Sequence, residues 1–210
     1  MIFGTHDLAL FVVSGLLLNI APGPDTLYIL SRTTSRGWRG GATAALGISA
    51  GCFVHIFAAA LGLSALFAAS ATAFAALKWV GGAYLVWLGV AILRAPPLDL
   101  EAATLAPRQR LRRIFAQGFA TNALNPKVAL FFVALLPQFI DPNATYKALA
   151  FVFLGCVFNF NATLWNLFVA WSAARIAGRV KDSRRIQVWI NRVIGGVLVL
   201  LGARLALVTD

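Results

Sequence analysis

The sequence predicts an all-α integral membrane protein with six transmembrane helices. Of the 210 residues, 60% are hydrophobic and only 12% are charged, whereas soluble domains carry about 25% charged residues. A helix needs about 20 mostly apolar residues to cross a bilayer. Stretches of this kind lie at about 8–31, 42–66, 73–93, 114–140, 148–173 and 186–208. Because they take up most of the chain, residues 1–210 are expected to form a single transmembrane domain.

The basic residues fall in alternate connections between the predicted helices. They are Arg32, Arg36 and Arg39 after helix 1, Arg94, Arg108, Arg110, Arg112 and Arg113 after helix 3, and Arg175, Arg179, Lys181, Arg184, Arg185 and Arg192 after helix 5. Cytoplasmic loops are enriched in Lys and Arg, so these three connections are expected in the cytoplasm and both termini in the periplasm. The net charge of +11 therefore indicates orientation in a bilayer, and we expect no nucleic-acid partner.

The first predicted helix is interrupted by the sequence APGPD at 21–25. Pro22 and Gly23 end one half-helix, and Pro24 fits the first position of another, where its missing N–H costs nothing. Asp25 then lies in a first turn, where negative charge is favoured. The freed backbone groups would cost several kcal/mol each in lipid, so the break is expected beside protein or a wet cavity.

The second predicted helix carries Cys52 and His55 near its middle. An ionisable residue inside a membrane is a candidate functional group. The sequence leaves two roles open for His55, an interhelical hydrogen bond or a proton relay.

The fourth predicted helix is broken in a similar way at NPK, residues 125–127. Asn125 is a good N-cap and Pro126 a good first residue. Lys127 has the wrong sign for a helix N-terminus, so it is expected to have an anionic partner. Asp25 and an anionic ligand are the two candidates, and a fixed Asp25–Lys127 ion pair is the purely structural interpretation.

Three asparagines complete the set of candidate polar residues. Asn19 and Asn122 each lie three residues before a break, where the amide could cap backbone groups or contact substrate. Asn159 shares one face of helix 5 with Gly155, Thr163 and Asn166, at helical spacing.

Two halves of the chain repeat each other. The matched residues are Gly15 with Gly118, Asn19 with Asn122, Cys52 with Cys156, Gly82 with Gly195, and Gly89 with Gly202. Repeat one covers about 7–94, a cytoplasmic linker about 95–113, and repeat two about 114–208. A three-helix unit that occurs twice must insert in opposite orientations, because three is odd. Inverted repeats are typical of secondary transporters, whose sites lie between the repeats on broken helices.

The sequence resembles the LysE/RhtB-type amino-acid exporter family, the LysE-family translocators. The resemblance lies in APGPD at 21–25, LGISAGCFVHIFAAALGLSAL at 46–66, KWVGGAYLVWLGVAILR at 78–94 and GFATNALNPKVALFFVALLPQF at 118–139. It implies a six-helix transporter of the bacterial cytoplasmic membrane, and not an enzyme. It also implies export of amino acids or close derivatives, with homoserine-like, threonine-like or other small neutral substrates favoured, driven by the proton gradient. Some members carry an acid near the middle of helix 2, where this chain has Cys52 and His55.

These observations give a list of candidates for substrate binding or proton coupling. A substrate carboxylate could meet Lys127 and the half-helix N-termini, while the ammonium could meet Asp25 or unwound carbonyls. The full list is Asp25, Lys127, Asn19, Asn122, Asn125, His55 and Asn159. We expect no cofactor and no metal.

Two other functions on a similar scaffold are alternatives. A thiol electron carrier could use Cys52 and Cys156, but carriers need reactive thiolates and no flanking cation or CxxC occurs. A divalent-metal exporter needs clustered His, Cys, Asp or Glu ligands, which are scarce here. A homodimer through the small-residue faces of helices 3 and 6 is a further expectation.

Overall fold

The computed structural model describes residues 2–69, 71–94 and 109–176, with short pieces at 192–193, 196 and 199–200. In these residues the regular secondary structure is helical, apart from an isolated bridge between Thr5 and Ile140, and short turns and irregular stretches connect the helices. The predicted sixth helix falls mostly outside the described residues, as do most of the linker and the Gly195 and Gly202 matches.

Seven α-helices follow one another along the described chain. They are α1 (Leu8–Ile20), α2 (Pro24–Ala58), α3 (Ser64–Ala69), α4 (Ala71–Arg94), α5 (Leu111–Ala123), α6 (Pro126–Ala134) and α7 (Lys147–Ile176). A π-helical turn, Ala59–Leu63, joins α2 to α3, and a 3-10 turn, Leu136–Phe139, follows α6.

Two of the described helical segments, Pro24–Leu66 and Lys147–Arg175, are long and apolar enough to cross a membrane. A third is added if Leu111–Ala123 and Pro126–Phe139, which meet at a bend of 45°, count as one span. Helix α1 is apolar but shorter. The described helices have the length and composition of a helical membrane protein, and the six-helix count remains a prediction.

Helix α2 turns sharply at Gly37, whose backbone has φ 66° and ψ −163°. This region of conformational space is almost confined to glycine. Residues eight apart in a straight helix are about 12 Å apart, yet a Cβ on Gly41 would overlap the Thr33 hydroxyl. The two parts of α2 therefore pack against each other. The connection predicted between helices 1 and 2 is thus a sharp turn at one residue, with helix on both sides of it.

Small residues bring α5 against the second part of α2. A Cβ on Gly118 would lie 2.7 Å from the carbonyl oxygen of Ala44, and Cβ atoms on Gly47 and Gly51 would overlap the carbonyls of Phe115 and Phe119. Close backbone approach through small residues is typical of membrane helices. This packing places Asn122, in the last turn of α5, beside α2.

Candidate functional site

The two predicted helix breaks meet in the folded chain. Helix α1 ends at Ile20 and α2 begins at Pro24, while α5 ends at Ala123 and α6 begins at Pro126. The Asn125 side chain accepts a hydrogen bond of 3.0 Å from the backbone N–H of Lys127, which makes it the N-cap of α6. Gly23 precedes α2 in an extended conformation, with no side-chain cap.

Lys127 fastens the start of α6 to the end of α1. Its Nζ donates to the carbonyl oxygens of Leu18 at 2.8 Å and Ala21 at 2.6 Å. Both lie at the C-terminal end of α1, where exposed carbonyls and the helix dipole favour a cation. The negative end of a second helix thus offsets part of the positive charge of Lys127, and the anionic partner predicted for it stays a prediction. An ammonium has three N–H donors, so one is left after these two bonds.

Asp25 makes the reciprocal connection between the breaks. Its Oδ2 accepts a hydrogen bond of 2.8 Å from Nδ2 of Asn122, at the end of α5. The Asn122 amide thus donates to a carboxylate and not to a backbone group, so it does not form the backbone cap that was one of its two predicted roles. Within the described residues no ion pair joins Asp25 to Lys127.

Three buried polar atoms near the breaks have no hydrogen-bond partner in the described part of the chain. They are Nδ2 of Asn19, Oδ1 of Asp25 and Oδ1 of Asn122. Asn19 therefore makes no cap through its N–H groups. An unpaired buried polar group costs about 1–3 kcal/mol, so such atoms in a native protein call for a water or a ligand. This set comprises one donor and two acceptors.

The same three residues line a cavity of about 30 Å³ between α1, α2, α6, α7 and the end of α5. One water molecule needs roughly 10–15 Å³, so there is room for about two waters. Sites that enclose small-molecule ligands have volumes of about 300–1,000 Å³. The cavity must therefore widen before it admits an amino acid.

His55 lies behind this cavity and is buried. Its Nε2 is 2.8 Å from the carbonyl oxygen of Asn122, and its ring packs on Phe132 with a centroid distance of 5.9 Å. This is the interhelical hydrogen bond that the sequence offered as one of two roles. Through it His55 holds the residue that donates to Asp25.

Asn159 on α7 is tied to α2 by a residue that sequence reasoning missed. Its Nδ2 donates to the Ser49 carbonyl at 3.2 Å, and the Ser49 hydroxyl donates to its Oδ1 at 3.2 Å. The Thr163 hydroxyl is 2.8 Å from that of Ser49. A lone serine carries little signal in a sequence, because small polar residues are common between membrane helices.

Other residues of the cavity lining were also missed or passed over. Thr26, Phe158 and Ala162 line it without having been singled out. Asn166, noted only as a neighbour of Asn159, lines it too, and its spacing of seven from Asn159 was the available signal.

The two cysteines differ in environment. Cys52 is buried in the cavity lining, whereas Cys156 is exposed, and both are free thiols. The described segments also contain no group of three His, Cys, Asp or Glu side chains that could hold a metal ion. Neither the thiol-carrier nor the metal-exporter alternative gains support from this arrangement.

Comparison with known proteins gives matches over nearly the whole chain. The family model for the LysE type translocator matches residues 16–209. The homoserine/homoserine lactone efflux protein of Salmonella typhi is 34% identical, over 93% of this chain and 94% of that protein. The leucine efflux protein of Enterobacter sp. (strain 638) is 28% identical, over 97% of each chain. No solved structure matches.

Proposed function

Because the chain belongs to the LysE type translocator family, we propose that it is a secondary active transporter that exports amino acids or close derivatives. The observation that carries this proposal is the cavity between the two helix breaks, with its unpaired polar atoms. Relatives named for homoserine and leucine efflux point to the same class of substrate.

The unpaired atoms complement an amino-acid zwitterion. The substrate ammonium donates to Oδ1 of Asp25 and Oδ1 of Asn122, both of which lack partners among the described residues. The carboxylate, which only accepts hydrogen bonds, takes Nδ2 of Asn19 and the remaining N–H of Lys127. Asn125 keeps Lys127 in place by capping α6. The proposed substrates are homoserine-like, threonine-like or other small neutral amino acids.

The proposed proton antiport depends on the Asp25 carboxylate, which can bind either of two cations. Asp25 binds either a proton or the substrate ammonium, and the two compete for the same oxygen. Release of substrate outside the cell then accompanies proton uptake by Asp25, and the proton leaves in the cytoplasm. This exchange uses the inward proton gradient to drive export.

The proposed architecture is two inverted three-helix repeats, about 7–94 and 114–208, joined by a cytoplasmic linker at about 95–113. It is supported by the reciprocal contacts of the breaks, in which Lys127 bonds to the end of α1 and Asn122 bonds to the start of α2. The second repeat thus supplies side chains that bond to both sides of the helix break in the first repeat. A homodimer through predicted helices 3 and 6 is also proposed.

The proposed orientation in the bacterial cytoplasmic membrane is supported by which connections lie together. Arg36, beside the Gly37 turn, donates to the Gln109 carbonyl before α5, and Gly37 lines a groove with Arg175 at the end of α7. These are the arginine-rich connections. On the other side, the N–H of His6 donates to the Phe139 carbonyl at 3.1 Å. The N-terminus therefore lies with the connection that carries few cations.

An export panel tests the proposed function. Cells that express or lack the protein are loaded with single amino acids, supplied as dipeptides, and the appearance of each amino acid in the medium is measured. We expect faster efflux of homoserine, threonine or another small neutral amino acid in the expressing cells. Equal efflux of every amino acid by both strains, with the protein present in the membrane, would refute amino-acid export.

A further inference from the structure

Helix α7 contributes one side of the cavity through a single face. The residues concerned are Phe158, Asn159, Ala162 and Asn166. Phe158, Ala162 and Asn166 follow one another at spacings of four, and Asn159 lies three residues before Ala162, so all four share one side of the helix. The groups that suit the ammonium and carboxylate lie on the other elements. The α7 face is therefore where the side chain of a bound amino acid would lie.

The two amides on this face differ in how they are satisfied. Asn159 exchanges hydrogen bonds with Ser49 in both directions. The Asn166 residue is only 7% exposed. No hydrogen bond of its amide is found within the segments that the structure describes, and its amide atoms, unlike Nδ2 of Asn19 and Oδ1 of Asn122, keep some accessible surface. A side-chain amide offers two donors and an acceptor, so Asn166 is a buried polar group equipped for a ligand.

We propose that Asn166 binds the side-chain hydroxyl of the substrate and so selects small hydroxylated amino acids over apolar ones. This inference rests on the proposed function and names its substrate class. A hydroxyl donates and accepts at once, and so pairs with both ends of the Asn166 amide. A leucine side chain would leave the amide buried without a partner.

The expected selectivity arises because a buried polar group left without a partner costs more free energy than a formed hydrogen bond gains. Sites that hydrogen-bond a substrate hydroxyl reject analogues without it far more strongly than apolar pockets reject an added group. Loss of one neutral hydrogen-bond partner changes the preference for a hydroxylated over an apolar substrate by about tenfold or more. Relatives named for homoserine and for leucine efflux make these two amino acids the informative pair.

The test compares export of homoserine and of leucine by the native protein and by Asn166→Leu. The leucine side chain introduced at position 166 is close to asparagine in shape but has no polar atoms. We expect the native protein to favour homoserine and the variant to lower the homoserine-to-leucine ratio by at least about tenfold, with leucine export retained. Asn161→Leu is the matched control, because Asn161 is on the same helix but does not line the cavity. Its ratio should equal that of the native protein.

A second variant distinguishes loss of the hydrogen bond from misfolding of the Asn166→Leu protein. Asn166→Ser keeps a donor and an acceptor in a smaller side chain, and should keep a preference for homoserine. An unchanged ratio in Asn166→Leu, or a preference for leucine in the native protein, would overturn the role of Asn166 while leaving amino-acid export intact. If the native protein exported neither amino acid nor any other in the panel, the proposed function itself would fail.

Discussion

At the scale of single residues, Lys127 is the group to which the structure adds most. Its position at a helix N-terminus suggested an anionic partner, and the structure shows that its ammonium also bonds to the carbonyls of Leu18 and Ala21. The sequence could not reveal this, because the end of α1 and the start of α6 are about a hundred residues apart. By contrast, the roles of Asn125 and Pro126 at the start of α6 followed from local cap chemistry alone.

Replacement of Lys127 by methionine should stop export. The change removes the cation and leaves two carbonyls at the end of α1 without their donor, which costs about 1–3 kcal/mol for each group. Lys127→Arg should also export more slowly, because a planar fork does not replace a compact ammonium. The measurement is efflux from cells, normalised to protein abundance in the membrane.

Adding Asp25→Asn to Lys127→Met should not restore export, since no ion pair joins these residues in the described structure. Recovery of both abundance and export in the double variant would indicate a structural ion pair and would contradict the binding roles proposed for the two residues.

Asp25→Asn alone should abolish export driven by a pH gradient while leaving the protein in the membrane. An amide cannot take up and release the proton, although it can still pair with Asn122. The measurement is amino-acid transport in proteoliposomes with an imposed pH gradient. Asp7→Asn serves as the control, because Asp7 is at the exposed N-terminal end and should not affect transport. Full gradient-driven transport by Asp25→Asn would leave Asp25 as a helix-start residue only.

At the scale of elements, the sequence predicted the helix breaks well and the connections less well. Proline and asparagine favour helix starts by their own chemistry, so the starts at Pro24 and Pro126 could be predicted. The turn inside α2 could not be predicted, because it depends on one glycine within a helical stretch. The roles of Ser49 and Asn166 were also missed, since only the packing of α7 on α2 brings Ser49 to Asn159 and Asn166 to the cavity.

Gly37→Ala should destabilise the protein by about 1–3 kcal/mol, the cost of a strained backbone conformation at a non-glycine residue. The two parts of α2 would lose the turn that packs Gly41 against Thr33. Gly62→Ala is the control, because its added Cβ would meet open space. Thermal unfolding of the purified variants in detergent gives the comparison. Equal melting temperatures for the Gly37 and Gly62 variants would argue against the turn.

At the scale of the whole molecule, the family was predicted from four motifs, and the match over residues 16–209 confirms it. The alternating positive charge makes a topology prediction that spans all six helices. Reporter fusions after Arg108 and after Asp182 should report a cytoplasmic location, and a fusion at Asp210 a periplasmic one. A cytoplasmic C-terminus would remove the six-helix arrangement, and with it the reason for inverted repeats.

The central claim, that amino acids pass through the cavity between the two breaks, can be tested with the native Cys52. This thiol lines the cavity, whereas Cys156 is exposed, so Cys156→Ser leaves one reporter. The most direct measurement is the rate at which a membrane-permeant maleimide modifies Cys52 in that variant during export. We predict that modification occurs, because the cavity must open, and that homoserine or another exported amino acid slows it in a saturable way. A rate that no exported amino acid changes, in protein that still transports, would contradict the claim.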